Sequence, residues 1–334
     1  MIISYQELLA RFEAILLSRH VAPDIARAAA ENFANTSRDG IYSHGVNRFP
    51  RVVSYLDQGL IDGSARPECV ASIGSFERWD GHMGMGNVNA RLAMDRACEL
   101  AHRFGMGMVA IGNTNHWMRG GAYGWQAAEN GCVGICWTNT MPNTPVWGGV
   151  EPKIGNNPFV IGIPQSQGEH IVFDCAMSQF AYGKIEMARL KGEQLPVPGG
   201  FDREGNPTTD PAEIEKSGRV LTIGYWKGSG LSLVLDLVGA ILSGGNTVTD
   251  VGRKYKDEIG LTQVLIAIDP THMQTAAVTD DIIRRVLEDI RSATPTTPGG
   301  QIRYPGQQEL TTRRHNMEHG IPVLDSVWQQ IEAL

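Results

Sequence analysis

The chain has 334 residues, 42% hydrophobic and 19% charged, enough apolar material for two lobes or one large core and far from a disordered composition. A formal net charge of −7 without a run of Lys or Arg argues against nucleic acid or an anionic membrane as partner. Five cysteines, an odd number with no C-x-x-C pair, read as reduced thiols of a cytoplasmic protein and not as a disulfide framework or a zinc site.

The opening MIISYQELLARFEAILL lacks a basic leader ahead of an unbroken apolar run, so no secretory signal is read there. Ser4 and Glu7 have capping-box spacing, and Leu8, Phe12, Ile15 and Leu16 follow at helical intervals. Pro23 opens a second, alanine-rich helix to about Thr36, which Gly40 ends, and a third helical stretch approaches Gly59. A helical segment is therefore expected over residues 1–65, packing with residues 295–334, beside an α/β core over 66–294 that binds cofactor and substrate.

Within that core the pattern predicts a helix over Asn87–Phe104 stopped by Gly105, a strand at Met108–Ile111 and a helix over Gly121–Asn130. Strands follow at Val133–Thr138, Phe159–Ile163 and Ile171–Asp174, then a helix at Phe180–Leu190 and a Pro/Gly-rich loop from Leu195 to Pro211. A helix over Leu231–Leu242 is too short to span a bilayer and contains Asp236. After a strand at Val264–Ile268, Thr279 is expected to cap a last strong helix with Ile282, Ile283, Val286, Leu287 and Ile290 on one face. Alternating strands and helices place the chain in the α/β class.

The common dinucleotide fingerprint, G-x-G-x-x-G, is missing: Gly84-Met-Gly86 is followed by Asn87-Val-Asn89, and Gly228-Ser-Gly230 by Leu231-Ser-Leu233. Chemistry must be sought elsewhere. The polar stretch from Asp39 to Arg48 concentrates Ser43, His44 and Arg48 near a helix start, where an anion is welcome. Pro50 means that this helix either kinks or begins near Phe49, and a solvated helix face explains the same residues. Past a predicted strand, Asn115-His-Trp-Met-Arg-Gly-Gly121 offers a proton carrier in His116, a flat platform in Trp117 and a fixed charge in Arg119; a plain turn is the alternative. Tyr225-Trp-Lys-Gly-Ser-Gly-Leu231 lets backbone N–H groups and Lys227 approach a phosphate. His315 and His319 have the spacing of a metal pair but no adjacent glutamate or third ligand, so no metal is expected.

Together these residues resemble the malate/L-lactate dehydrogenase type 2 family, from the first helix to Trp328. The resemblance rests on Tyr-Ser-His-Gly-Val-Asn-Arg (42–48), Asn-His-Trp-Met-Arg-Gly-Gly (115–121), Ile-Gly-Asn-Asn-Pro (154–158), Asp-Cys-Ala-Met-Ser (174–178) and Trp-Lys-Gly-Ser-Gly (226–230). It implies a non-Rossmann α/β fold with a large mixed sheet and a helical N-terminal segment, a homodimer, and NAD as cofactor, with NADP left open. His44 matches a position assigned as proton donor in one branch of the family, and His116 a histidine given an acid/base role in others. The implied cofactor contacts are His170, Ile171, Val172, Phe173, Asp174, Cys175 and Ala176, then Trp226 and Lys227. A third set follows at Gly306, Gln307, Gln308 and Glu309, where the turn Pro-Gly-Gln-Gln-Glu has one residue more than the family pattern.

Reducing a small 2-keto acid with NADH requires a proton donor for the developing alkoxide and an anchor for the carboxylate. A histidine supplies the first near neutral pH, and an arginine fork suits the second. His44 is read as the acid, Arg48 as the anchor, and His116 as either a polarising group or the true acid. Ser43, Trp117 and Arg119 complete the expected substrate contacts, the last two as determinants of substrate choice. Within the class, the alternatives are enzymes acting on malate, lactate, ureidoglycolate or a cyclic imino acid. Outside it stand a non-catalytic binding protein and a metal-dependent hydrolase, the latter without an identifiable ligand set.

Overall fold

The computed structural model describes residues Met1–Leu334. Helix α1 (Tyr5–Ser18) begins where Ser4 Oγ accepts the Glu7 N–H at 3.1 Å, and α2 (Pro23–Arg38) begins on its proline. Helix α3 (Phe49–Asp57) carries Pro50 in its first turn, so the helix starts after His44 instead of kinking through it. The three helices close over one aromatic contact. Phe49 stacks on Phe12 with centroids 4.1 Å apart, and Phe33 meets Phe49 edge-on at 5.2 Å.

The sheet has seven strands: β1 (Glu68–Ile73), β2 (Phe76–Asp80), β3 (Met106–Thr114), β4 (Val133–Thr138), β5 (Phe159–Ile163), β6 (Ile171–Cys175) and β7 (Leu261–Ile268). Their order is β1-β2-β3-β7-β4-β5-β6, with β2 and β3 parallel and every other pair antiparallel. Helices α4 (Gly86–Phe104) and α5 (Gly121–Glu129) cover one face, burying Ala93, Met94 and Ala97 against Val109, Ile111 and Leu265. Beyond β6, α6 (Tyr182–Lys191) and α7 (Pro211–Ser217) share a small core of Ile185, Leu195, Ile214 and Val220.

Helix α8 (Trp226–Ser243) covers the other face with Leu235 against Ala110, Trp137 and Val264. It starts five residues before the expected Leu231, because Gly228 and Gly230 hide a helical turn behind a loop-like composition. Its 18 residues are apolar enough to cross a membrane by length and composition. Asp236 nevertheless lies buried in it, accepting from Asn139 Nδ2 at 3.1 Å and the Val248 N–H at 2.9 Å, the chemistry of a helix packed on a protein core.

Two short strands and several helices depart from the sequence reading. Both β1 and β2 went unread, since β1 is an exposed edge strand whose six residues alternate no apolar face. Helix α9 (Val248–Lys254) is also additional. Helix α10 (Ala276–Arg291) has Thr275, not Thr279, at its N-cap position, and buries Ile283 and Leu287 while Ile282 and Val286 stay exposed. Helix α11 (Gln307–His319) buries only Leu310 and Asn316 and gives no apolar period to read. Helix α12 (Asp325–Glu332) brings Trp328 and Ile331 into the same core as α1–α3, and Ile2–Ile3 pairs with Ile321–Pro322.

Phe49 sits at the centre of this aromatic contact and is fully buried. Phe49→Ala is expected to destabilise the fold by about 3–5 kcal/mol in a urea titration. An unchanged midpoint would mean that the stack does not hold the helices.

Candidate active site

The segment leaving α2 forms a short 3-10 turn over Tyr42–His44, and Arg48 occupies the N-cap position of α3. His44 and Arg48 thus come from two turns separated by Gly45, not from one helix face. His116 follows β3, in a loop fastened from several sides. Asn115 Nδ2 donates to the carbonyls of Met83 (2.7 Å) and Gly84 (2.9 Å), and Gln263 Nε2 on β7 donates to the Asn115 carbonyl at 2.8 Å. The first residue of α4, Gly86, lies so near this loop that a Cβ would sit 1.9 Å from the Asn115 carbonyl oxygen.

The two segments bring the histidines together. Their ring centroids are 5.8 Å apart with the planes 25° from parallel. Ser43 Oγ lies 3.0 Å from His44 Nδ1 and fixes that ring. His116 Nδ1 accepts the Met118 N–H at 2.9 Å, which places the proton of the neutral ring on Nε2. That Nε2 lies 3.8 Å from Glu258 Oε2, the same oxygen that accepts from Arg48 Nη2 at 3.1 Å. Sequence reasoning missed Glu258. The only signal for it was that a half-buried arginine needs a counter-charge, and nothing in a loop sequence says which carboxylate supplies it.

Burial pushes the His44 imidazole down to about 4, helped by the positive charges of Arg48 and Arg119. Burial likewise pushes His116 down, with Arg48 and His44 adding to the effect. Burial pushes the Glu258 carboxyl up, against the pull of Arg48. The site therefore favours neutral rings beside a cation.

Trp117 and Arg119 stand elsewhere than expected. Met118, between them, has φ +67°. Trp117 is 1% exposed, its ring 5.3 Å from that of Tyr123, whose hydroxyl donates to the Trp117 carbonyl at 2.5 Å. Arg119 is 5% exposed, and its Nη1 donates to Asp39 Oδ2 at 2.6 Å. Both side chains are closed off from solvent: Trp117 fills the core and Arg119 is held in an internal ion pair. His315 and His319 stack on each other on the exposed side of α11.

Residues 3–332 match the profile of the malate/L-lactate dehydrogenase family. The 2,3-diketo-L-gulonate reductase of Citrobacter koseri is 47% identical over 332 residues, 99% of both chains. Among solved structures, the delta1-piperideine-2-carboxylate reductase of Pseudomonas syringae superposes with TM-score 0.87 at 30% identity, covering 100% of this chain and 99% of that one. The sulfolactate dehydrogenase of Methanocaldococcus jannaschii gives TM-score 0.91 at 28% identity, with 100% and 96% covered. The chain belongs to the malate/L-lactate dehydrogenase family. It is an oxidoreductase of the class that acts on 2-hydroxy acids.

A dehydrogenase of this family works with a nicotinamide cofactor, and the three segments expected to hold it converge on the edge strand β6. The continuation of β6 pairs with the chain leading into α8: the Ile223 N–H donates to the Met177 carbonyl at 2.9 Å, which brings Trp226 and Lys227 alongside. The start of α11 is pressed on β6 itself, the Val172 N–H donating to the Pro305 carbonyl at 3.0 Å. Gly306 makes that approach at φ +93°, where a Cβ would stand 3.0 Å from the Val172 nitrogen. Gln307 turns back to accept the Tyr304 N–H at 3.3 Å, and Gln308 and Glu309 continue the first turn. Phe173, Asp174, Trp226 and Lys227 are exposed along this line, while His170 is buried and accepts the Gln165 N–H at 3.0 Å. Two helix starts with a lysine between exposed strand residues fit a pyrophosphate and a flat ring system.

The electrostatics can be checked directly. Arg48→Gln removes a cation facing both rings, so both histidines should titrate at higher pH than in the parent when followed by NMR of labelled imidazoles. Unmoved titrations would place Arg48 outside the site.

Proposed function

We propose that this chain reduces the 2-keto group of 2,3-diketo-L-gulonate with NADH, as a cytoplasmic homodimer. The observation that carries the chemistry is the pairing of His44 and His116 beside the Arg48–Glu258 contact. The substrate rests on the near-full-length likeness to reductases of that name. Bound nicotinamide supplies the hydride; the protein supplies the proton and the geometry.

In this reading Arg48 exchanges Glu258 for the substrate carboxylate, a two-point contact that lysine does not reproduce. Glu258 is then left beside His116 Nε2, where its negative charge favours a protonated imidazole. Ser43 holds the His44 ring, and His44 gives its proton to the keto oxygen as hydride reaches the carbon, leaving a secondary alcohol. His116 polarises the same oxygen or the adjacent carbonyl from the neighbouring ring. The cofactor lies along β6 between the starts of α8 and α11. NADH is taken as the cofactor because the family resemblance implies NAD, with NADPH as the alternative.

A second copy is the proposed occupant of the outer face of α8, where Leu233, Val234 and Leu237 are exposed and Ile241 is 75% exposed. Five free thiols accord with a reducing compartment.

The deciding assay is oxidation of NADH, with NADPH in parallel, by 2,3-diketo-L-gulonate and by pyruvate, oxaloacetate and a cyclic imino acid. Fast turnover selective for the diketo acid supports the proposal. Turnover only with another acid keeps the chemistry and removes the substrate, and no turnover with any of them makes the chain a binding protein. His44→Ala should lower kcat by about 10²–10⁴-fold with NADH binding intact; near-normal turnover would move the acid role to His116.

The pH dependence has a sign. Reduction needs protonated His44, whose proton affinity is depressed in the free enzyme, chiefly by burial, and raised again in part by a carboxylate at Arg48. The alkaline fall of kcat should therefore lie at higher pH than that of kcat/KM. Coincident or reversed limbs would rule this coupling out.

A further inference from the structure

Asp39 has no part in the chemistry above, yet it is among the most heavily bonded side chains in the molecule. It is 3% exposed and accepts four hydrogen bonds from three guanidinium groups. Oδ1 takes Arg38 Nε (2.8 Å) and Arg313 Nε (2.8 Å); Oδ2 takes Arg119 Nη1 (2.6 Å) and Arg313 Nη2 (2.7 Å). Burial opposes the charge, but the guanidinium groups win and hold the carboxyl down at about 2. The anion persists throughout the pH range in which an enzyme works.

The partners arrive from three parts of the chain: Arg38 from the end of α2, Arg119 from the loop after β3 and Arg313 from α11. Asp39 stands five residues before His44, and Arg119 three after His116. The Asp39–Arg119 pair is thus the charged tie between the two histidine-bearing segments. A buried ion cluster is a poor source of net stability, because desolvation offsets the attraction. What it supplies is a fixed relative position, since each planar fork accepts only a narrow set of geometries.

We propose that Asp39 is a positioning residue, which by clamping Arg119 sets the spacing of the His44 and His116 rings and screens His44 from the Arg119 charge. The inference rests on the acid role given to the histidines above. The groups facing His44 are Ser43 on its own turn, Arg48 from α3, and His116 and Arg119 from the loop after β3. Glu258 lies beyond Arg48, and Asp174 acts on Arg119 from the far side. Of these, Arg119 is the cation whose effect on His44 depends on Asp39.

The test uses Asp39→Asn and Arg119→Gln in the full-length enzyme, with pH profiles of kcat for NADH-dependent reduction. Folding is checked by circular dichroism and cofactor binding by NADH fluorescence. Both variants should lose roughly 10–100-fold in kcat, the scale of a misplacement of about an ångström. Their profiles should move in opposite directions. Asp39→Asn leaves the Arg119 cation unscreened, so the alkaline limb shifts to lower pH; Arg119→Gln removes that cation, so the limb shifts to higher pH. Asp39→Glu should recover part of the lost kcat.

A purely structural role predicts loss without opposed shifts. Folded, NADH-binding variants whose limbs stay in place, or move the same way, overturn the proposal. Should Asp39→Asn fail to fold, Arg119→Gln decides alone, since it leaves Asp39 bonded to Arg38 and Arg313. Normal turnover in His44→Ala would remove the acid role and this inference with it. Lost turnover in His44→Ala together with an unmoved Arg119→Gln profile would remove this inference only.

Discussion

The carboxylate of Asp39 is the point on which the end of α2, the loop after β3 and helix α11 all converge. Because the group is buried, removing any one guanidinium leaves its charge with fewer partners, so the positions of the three segments are coupled through it. Two of those segments carry the histidines, and the third begins at the turn pressed on β6. One ion cluster therefore ties the proton-bearing side of the site to the strand along which the cofactor is proposed to lie.

The sheet explains why the remaining groups arrive at the same place. Strand β7 runs antiparallel to both β3 and β4, with Leu261 opposite Thr114 and Gln263 opposite Thr138. The chain leaving β3, the chain leaving β4 and the chain entering β7 must then lie at one end of the sheet. His116 is on the first and Glu258 on the third. Gln263, the third residue of β7, donates to the Asn115 carbonyl and so fixes the height of His116 above the strands. An α/β protein without the glycine fingerprint has thus built a site at strand ends through antiparallel pairing.

Much of this was legible in the sequence, for identifiable reasons. Helices α1, α2 and α4 carry caps, a proline or a terminal glycine as well as an apolar period, and strands β4 and β5 are short apolar runs between breakers, so local signals agreed with the tertiary outcome. Edge strand β1 and helix α11 are placed by tertiary contacts with little local signal, and they could not be read. The histidines were visible as residue types in polar stretches. Trp117 and Arg119 were visible too, but a loop has no period, so nothing in the sequence tells that both side chains are buried. Glu258 lies 210 residues from Arg48, and only the fold makes it a neighbour.

A site that holds two histidines near a cation, each with depressed proton affinity, looks ill suited to donating protons. The resolution is that the proton is wanted only when substrate is present. Under the proposed mechanism a 2-keto acid carries charge that offsets part of this penalty: its carboxylate at Arg48 would counter the cation acting on both rings and leave Glu258 to face His116, while the larger effect of burial stays. Burial makes this coupling strong, because charges interact more in a medium that screens them less. On that proposal, the groups that hold the free site in a neutral, proton-poor state would make proton uptake follow the binding of an acid, and a neutral ketone of similar shape would lack the charge that promotes it.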